Sequence, residues 1–181
     1  MKYQCEEADF SFIKKAKFQY KYSAKIPASA ETVFKIFENE HAWPLWFKGV
    51  KRIQWTSEKP FKVGTTRTVY LKNGFSANEV FYAWKPGREF GFYFTDTNVP
   101  SLKRFAELYE LTPIDDNNCT FTLHVGVDPI FPLNLTGPLG KWLLSGTFKD
   151  APESLAKFML HHKLHQQLLA DDQQQELKDA V

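Results

Sequence analysis

Residues 64–84 read GTTRTVYLKNGFSANEVFYAW, and this stretch decides the fold. Gly64 to Leu71 and Phe75 to Trp84 both alternate between apolar and polar side chains, which is the period of a strand. Between them, Lys72-Asn73-Gly74 is a three-residue loop with Gly where the chain needs a positive φ, so the two runs form a hairpin. With that loop, Leu71 faces Phe75 and the remaining pairs follow. One face then carries Val69, Leu71, Phe75, Ala77, Phe81 and Ala83, and the other carries Thr66, Thr68, Tyr70, Ser76, Asn78 and Tyr82. A slip of one residue would turn the whole apolar set outward, so the first set is the inner face. In its middle, Arg67 and Glu79 fall directly opposite each other. Charges in a Phe-lined interior must pair, because desolvating an isolated charge is prohibitive. The pair has two readings. It is the polar floor of a ligand cavity, or a cross-strand salt bridge that fixes register.

Working outward, Lys17 to Ile26 alternates as a half-buried strand that Pro27 ends. Ser29 then caps a helix whose apolar stripe is Val33, Phe34, Ile36 and Phe37. His41 to Phe47, with Trp43 and Trp46, is a turn or brief helix, and Val50 to Thr56 is the next strand. Beyond the hairpin, the Pro86-Gly87 turn leads into Glu89 to Thr95, with Phe90, Phe92 and Phe94 on the inner face. Lys103 to Thr112 and Cys119 to Val127 form the last hairpin. Its second strand turns Phe121, Leu123, Val125 and Val127 one way. Opposite them lie either Phe105, Glu107, Tyr109 and Leu111, or Ala106, Leu108 and Glu110; the first set is the more apolar and is preferred.

The remainder is helical. Leu139 to Phe148 is a helix of its own or the first half of one kinked at Pro152. Asp150 with Glu153 reads as a capping box, and Leu155, Phe158, Met159 and His162 fall on one stripe. The order is strand, two short helices, a run of antiparallel strands, long helix. This is an α+β chain whose curved antiparallel sheet buries one face against a long C-terminal helix. The organisation expected is a lead segment 1–16, one domain 17–168 and a frayed polar tail 169–181.

Bulk properties agree. A chain of 181 residues makes one domain that needs no disulfide or metal to hold its core. Its 17 Phe residues lack any polar handle and must enter a core or line an apolar cavity. A net charge of +2 gives no nucleic-acid footprint. Cys5 and Cys119 lie far apart with no CxxC, and Glu6, Glu7 and Asp9 stand where a signal sequence would be apolar. A reduced, cytoplasmic location is expected, with no transmembrane segment. His161 and His165 have a helical chelating spacing but no third ligand, so no metal is expected. Cys119 has no basic neighbour to activate it, and no phosphate- or dinucleotide-binding fingerprint is present, so no cofactor is implied.

At this level the chain resembles the START-like, or SRPBCC, superfamily, in its polyketide cyclase/dehydrase and lipid-transport type. The resemblance runs from about Phe18 to His162. It rests on Ile26-Pro27-Ala28 with Glu31-Thr32-Val33-Phe34, Trp43-Pro44-Leu45-Trp46, Val63-Gly64-Thr65-Thr66-Arg67, Asn78-Glu79-Val80, Ala83-Trp84, Pro86-Gly87 and Tyr109-Glu110-Leu111-Thr112-Pro113. It implies a helix-grip fold with a deep cavity for an apolar molecule such as a lipid, quinone or polyketide. It implies no universal catalytic motif, and fold alone does not define function. The chain departs from the pattern at Asp128 to Leu135 and at Pro152.

The residues then support three functions. The first is a monomeric or homodimeric binding protein for an apolar small molecule, with Arg67 and Glu79 as polar contacts. Trp46, Phe81, Phe90, Phe92, Phe94 and Tyr109 would be its walls, and Trp142, Phe148, Leu155, Phe158 and Met159 its closure. The second is a cyclase- or dehydratase-type enzyme with Glu79 or Glu107 as general acid/base. A tight Arg67–Glu79 pair would depress the Glu79 pKa and argue against Glu79 in that role. The third is a stress or interaction protein whose core is filled by its own Phe side chains.

Overall fold

The computed structural model describes residues 2–130, 135 and 137–163. The tail expected at 169–181 and His165 lie outside these residues. The strands are β1 (Tyr3–Gln4), β2 (Phe18–Ile26), β3 (Val50–Trp55), β4 (Thr66–Leu71), β5 (Ser76–Lys85), β6 (Glu89–Thr97), β7 (Leu102–Asp115) and β8 (Asn118–Pro129). They form one antiparallel sheet in the order β2-β8-β7-β6-β5-β4-β3, with β1 added beside β6. The helices are α1 (Phe10–Ile13), α2 (Ala30–Glu38), α3 (Trp43–Trp46), α4 (Gly137–Phe148) and α5 (151–163). The concave face of the sheet is filled by α2, α3 and the C-terminal helices, which is the helix-grip arrangement. None of these helices is long and apolar enough to cross a membrane.

The deciding hairpin has the register its turn dictates. Arg67 pairs with Glu79, Val69 with Ala77 and Tyr70 with Ser76. Gly74 sits at φ 88°, a conformation in which a Cβ is strained. Ser29 caps α2 as expected, its hydroxyl accepting from the Thr32 N–H at 3.2 Å. One residue departs from the expected alternation. The β5–β6 register shifts between Phe81 and Ala83, and this bulge turns Ala83 to the outer face and brings Trp84 inward.

In the last hairpin Phe105, Glu107, Tyr109 and Leu111 pair with Val127, Val125, Leu123 and Phe121, so the more apolar set does face inward. The other set was a close competitor because Ala106 and Leu108 are buried too. On the convex face, α1 and its flanks lay Ala8, Phe12, Ile13 and Ala16 over them. The lead segment is therefore built into the sheet. The Cys5 N–H donates to Thr95 O and the Glu6 N–H to Lys103 O, both at 2.9 Å, tying residues 5 and 6 to both β6 and β7.

At the C-terminal end the helix is two helices. The chain turns at Lys149 and Asp150, and α5 begins with the Ser154 N–H donating to Asp150 O. Pro152 occupies the first turn, where its missing N–H costs nothing. The face that α5 buries is Ala151, Leu155 and Met159. Phe158 is only half-buried and His162 is exposed, so the stripe is narrower than its spacing suggested.

Candidate functional site

A cavity of about 330 Å³ lies in the concave face of the sheet. Its walls are apolar: Phe47, Val50, Ile53, Val69, Leu71, Phe75, Phe92, Phe94, Phe105 and Val127. The exposed residues Asn73, Val99 and Thr147 mark its mouth, between the β4–β5 loop, the β6–β7 loop and the end of α4. Phe148 closes it from the helix side. At the inner end stand Trp43, Tyr109 and two charged residue types, Arg67 and Glu107.

These polar groups are inside because strand alternation puts them there. Arg67 on β4 and Glu107 on β7 share a face with the apolar sets around them, and they are 1% and 4% exposed. Glu79 is 2% exposed and accepts a hydrogen bond from Arg67 Nε. The guanidinium is also surrounded by rings. Its carbon lies 4.4 Å from the Trp43 ring centre, 4.7 Å from Phe92 and 5.1 Å from Phe81. Such cation–π contacts partly replace lost hydration. One donor is left over: Arg67 Nη1 is buried and has no hydrogen-bond partner among the described residues.

Burial acts on each of the ionisable side chains at the inner end of the cavity. An arginine cannot shed its charge in a protein, so a buried one needs a counter-ion, and Glu79 is in contact with it. Burial nonetheless outweighs the pull of Arg67 and raises the Glu79 carboxyl above the ordinary range, opposite to the depression expected for a paired Glu. Among the described residues Glu107 has no ion-pair partner in contact. Burial first, opposed by a Tyr109 hydrogen bond and supported by the charge of Glu79, pushes it up to about 8. It is a protonated acid at neutral pH, while the Tyr109 phenol, raised well above 10.0 by burial, remains neutral.

Of the residues expected to form a site, the structure places Arg67, Phe92, Phe94, Tyr109 and Glu107 along the cavity. Glu79 stands behind Arg67 as its counter-ion. Phe81 and Phe90 are core residues, packed around Trp84 and Tyr109 instead of lining the cavity. Trp46 is buried against Phe37, Trp43 and Phe47, with its Nε1 unpartnered among the described residues. Two closing residues are elsewhere. Trp142 is 69% exposed on the outside of α4, and Phe158 leans on the core beside His162. Leu155 and Met159 are core, and only Phe148 of that group meets the cavity. Trp43, from the brief helix α3, forms the inner end. Among the described residues no cluster of His, Cys, Asp or Glu has the geometry to hold a metal.

Fold and cavity together define a START-like helix-grip domain, an antiparallel sheet curled around helices with an internal pocket. The family is shown by sequence: the chain belongs to the polyketide cyclase / dehydrase and lipid transport family, whose model matches residues 17–159. Among curated relatives it is 30% identical over 112 residues to the uncharacterized protein Rv2574 of Mycobacterium tuberculosis, covering 62% of this chain and 67% of that one. Among solved structures it is similar to a START superfamily protein from Mycobacterium smegmatis, with TM-score 0.65 and 16% identity over 82% of this chain and 98% of that one. It is also similar to the Zhui aromatase/cyclase from a Streptomyces species, with TM-score 0.54 and 11% identity over 84% and 87% of the two chains. At these identities the structural likenesses show the fold.

Proposed function

We propose that this protein holds an apolar small molecule in the cavity between its sheet and its C-terminal helices. The observation that carries this reading is a pocket of about 330 Å³ with apolar walls and a few polar residues, Arg67, Glu107 and Tyr109, at its inner end. Ligand sites characteristically combine apolar walls of this extent with a few convergent polar groups. A core filled by its own Phe side chains would leave no such volume. The family's description as lipid transport points the same way.

One observation favours a catalytic reading as well. Glu107 lines the cavity, lacks an ion-pair partner in contact among the described residues, and is pushed by burial up to about 8, within reach of general acid/base work. Glu79 suits that role less, because it is the counter-ion of Arg67. The structural likeness to an aromatase/cyclase is compatible with this role.

The test is native mass spectrometry of the purified protein, followed by solvent extraction and identification of what is released. A stoichiometric apolar adduct is the expected result. A clean mass that stays clean after incubation with a panel of lipids, quinones and polyketide-like aromatics would overturn the binding reading.

A further inference from the structure

Of the seven asparagines in the chain, only Asn73 is followed by a glycine. The pairing carries a chemistry as well as a conformation. The side-chain amide of an asparagine and the backbone nitrogen of the next residue can close a five-membered ring, and the reaction is intramolecular, so no partner has to find the site. A side chain on the next residue shields that nitrogen; glycine has none. The loop that needs Gly74 at φ 88° therefore also presents Asn73 with an unshielded nucleophile. Asn73 is exposed, so water reaches it and a leaving amine can depart. The Phe75 N–H donates to Asn73 Oδ1 at 3.0 Å. That donor polarises the side-chain carbonyl and is already in place for the oxyanion that forms when Cγ is attacked. The Gly74 N–H donates to Leu71 O at 3.2 Å, the long end of the hydrogen-bond range. Asn78, on the next strand, has the opposite setting. Its Nδ2 donates to both Asp96 carboxylate oxygens, its Oδ1 accepts from the Thr68 hydroxyl, and Glu79 follows it.

The same loop ties two sides of the cavity mouth together. Asn98 Nδ2 donates to Gly74 O at 2.9 Å, and the Ser76 N–H donates to Asn98 Oδ1 at 2.9 Å. The β4–β5 loop thus holds the start of the β6–β7 loop, beside Val99 at the mouth. A change in the backbone at Asn73 moves the Gly74 carbonyl on which that tie depends.

We propose that Asn73 is a self-modification site at the cavity mouth and, resting on the binding function above, that its isoaspartyl product loosens the mouth. The Gly74 nitrogen attacks Asn73 Cγ. The new Cγ–N bond forms, the Cγ–Nδ2 bond breaks, and ammonia leaves with the proton of the Gly74 N–H, giving a succinimide. Water then opens the ring. Addition at Cγ gives aspartate on an unchanged backbone. Addition at the main-chain carbonyl gives isoaspartate, whose backbone runs through Cβ and Cγ and is one atom longer. Both products carry a new negative charge, and only the isoaspartyl one shifts Gly74 O away from Asn98.

The test begins with incubation of the purified protein at mildly alkaline pH, followed by tryptic digestion and mass spectrometry. Cleavage after Lys72 releases a peptide that starts at Asn73 and also contains Asn78 as an internal control. Asn73 should convert from amide to acid several-fold faster than Asn78, as two chromatographically distinct products of equal mass. Asn73→Gln, whose longer side chain would have to close a less favourable six-membered ring, should show no conversion there. Conversion at Asn73 no faster than at Asn78 overturns the modification site. Release of the fluorescent apolar probe N-phenyl-naphthylamine is then compared for fresh protein, aged protein and Asn73→Asp, which carries the charge on an unextended backbone. Release should be several-fold faster from the aged protein alone. Equal release from all three overturns the loosening and leaves the modification standing. Release that is equally fast from Asn73→Asp overturns the role of the backbone extension. If the probe does not enter fresh protein, the binding function falls and the loosening with it, while the modification stands on the mass data.

Discussion

Arg67 and Glu79 face each other across the β4–β5 ladder, both almost wholly buried, with Arg67 Nε donating to the Glu79 carboxylate. Removing one member strands the other's charge in a ring of aromatic side chains. Arg67→Leu should therefore lose on the order of 3–5 kcal/mol of stability, whereas Lys62→Leu, at an exposed position, should stay within about 0.5 kcal/mol. The double variant Arg67→Leu/Glu79→Leu should recover much of the loss, since an apolar pair leaves no charge unmatched. Denaturant melts decide the matter. Small and equal losses for the two single variants would place Arg67 in solvent and refute the register.

Glu107 should make stability fall with rising pH. Its unfolded carboxyl releases a proton near 4.5, and the folded one keeps it to about 8. Between those values the folded chain binds the extra proton, so raising the pH favours unfolding, by up to about 1.4 kcal/mol per pH unit. Below 4.5 both states are protonated and the effect vanishes. Glu107→Gln should gain stability over the wild type progressively from pH 4.5 to 8. Parallel pH–stability curves for the two proteins would mean that Glu107 is ionised in the fold.

Filling the cavity should block it without unfolding the protein. Val69 is buried and lines the cavity on β4, so in Val69→Phe the added ring has empty volume to occupy. Overpacking in a filled core costs about 1–3 kcal/mol; here the loss should be smaller. The readout is the adduct in native mass spectrometry, which should disappear while the melting temperature is held. An intact adduct would place the ligand elsewhere.

The lead segment should be locked to the sheet by a glycine. A Cβ at Gly126 would lie 2.7 Å from Ile13 Cα and 3.2 Å from the Phe12 ring, and the first of these is backbone that cannot swing aside. Gly126→Ala should lower stability by about 1–3 kcal/mol and speed tryptic cleavage at Lys14 and Lys15. An unchanged digestion pattern and melt would show that α1 does not rest on β8.

Much of this site was legible beforehand, and the parts that were not share a cause. The Arg67–Glu79 juxtaposition follows from three residues of turn chemistry and a two-residue period, both local properties that tertiary packing does not override. The inner face of β7 was nearly undecidable for the opposite reason. Ala106 and Leu108 are buried on the convex side by Phe12 and Ile13, more than 90 residues away in sequence, so both faces of that strand read as apolar. The bulge between Phe81 and Ala83 had one local sign, Gly91, which pairs with Ala83 and whose Cβ would meet the Tyr82 ring at 2.6 Å, and it exchanged Ala83 for Trp84.

Alternation and turn residues were thus enough to assign the strands, the β4–β5 register and most of the side chains that point inward, because each depends on neighbours along the chain or across one ladder. Which inward-pointing side chains meet empty space was another matter. Phe92 and Phe94 line the cavity while Phe81 and Phe90 are packed solid, and Trp142 lies outside altogether. That division depends on where α3 and the end of α4 come to rest against the curved sheet. A cavity is the volume left between elements, and no single element's pattern encodes it.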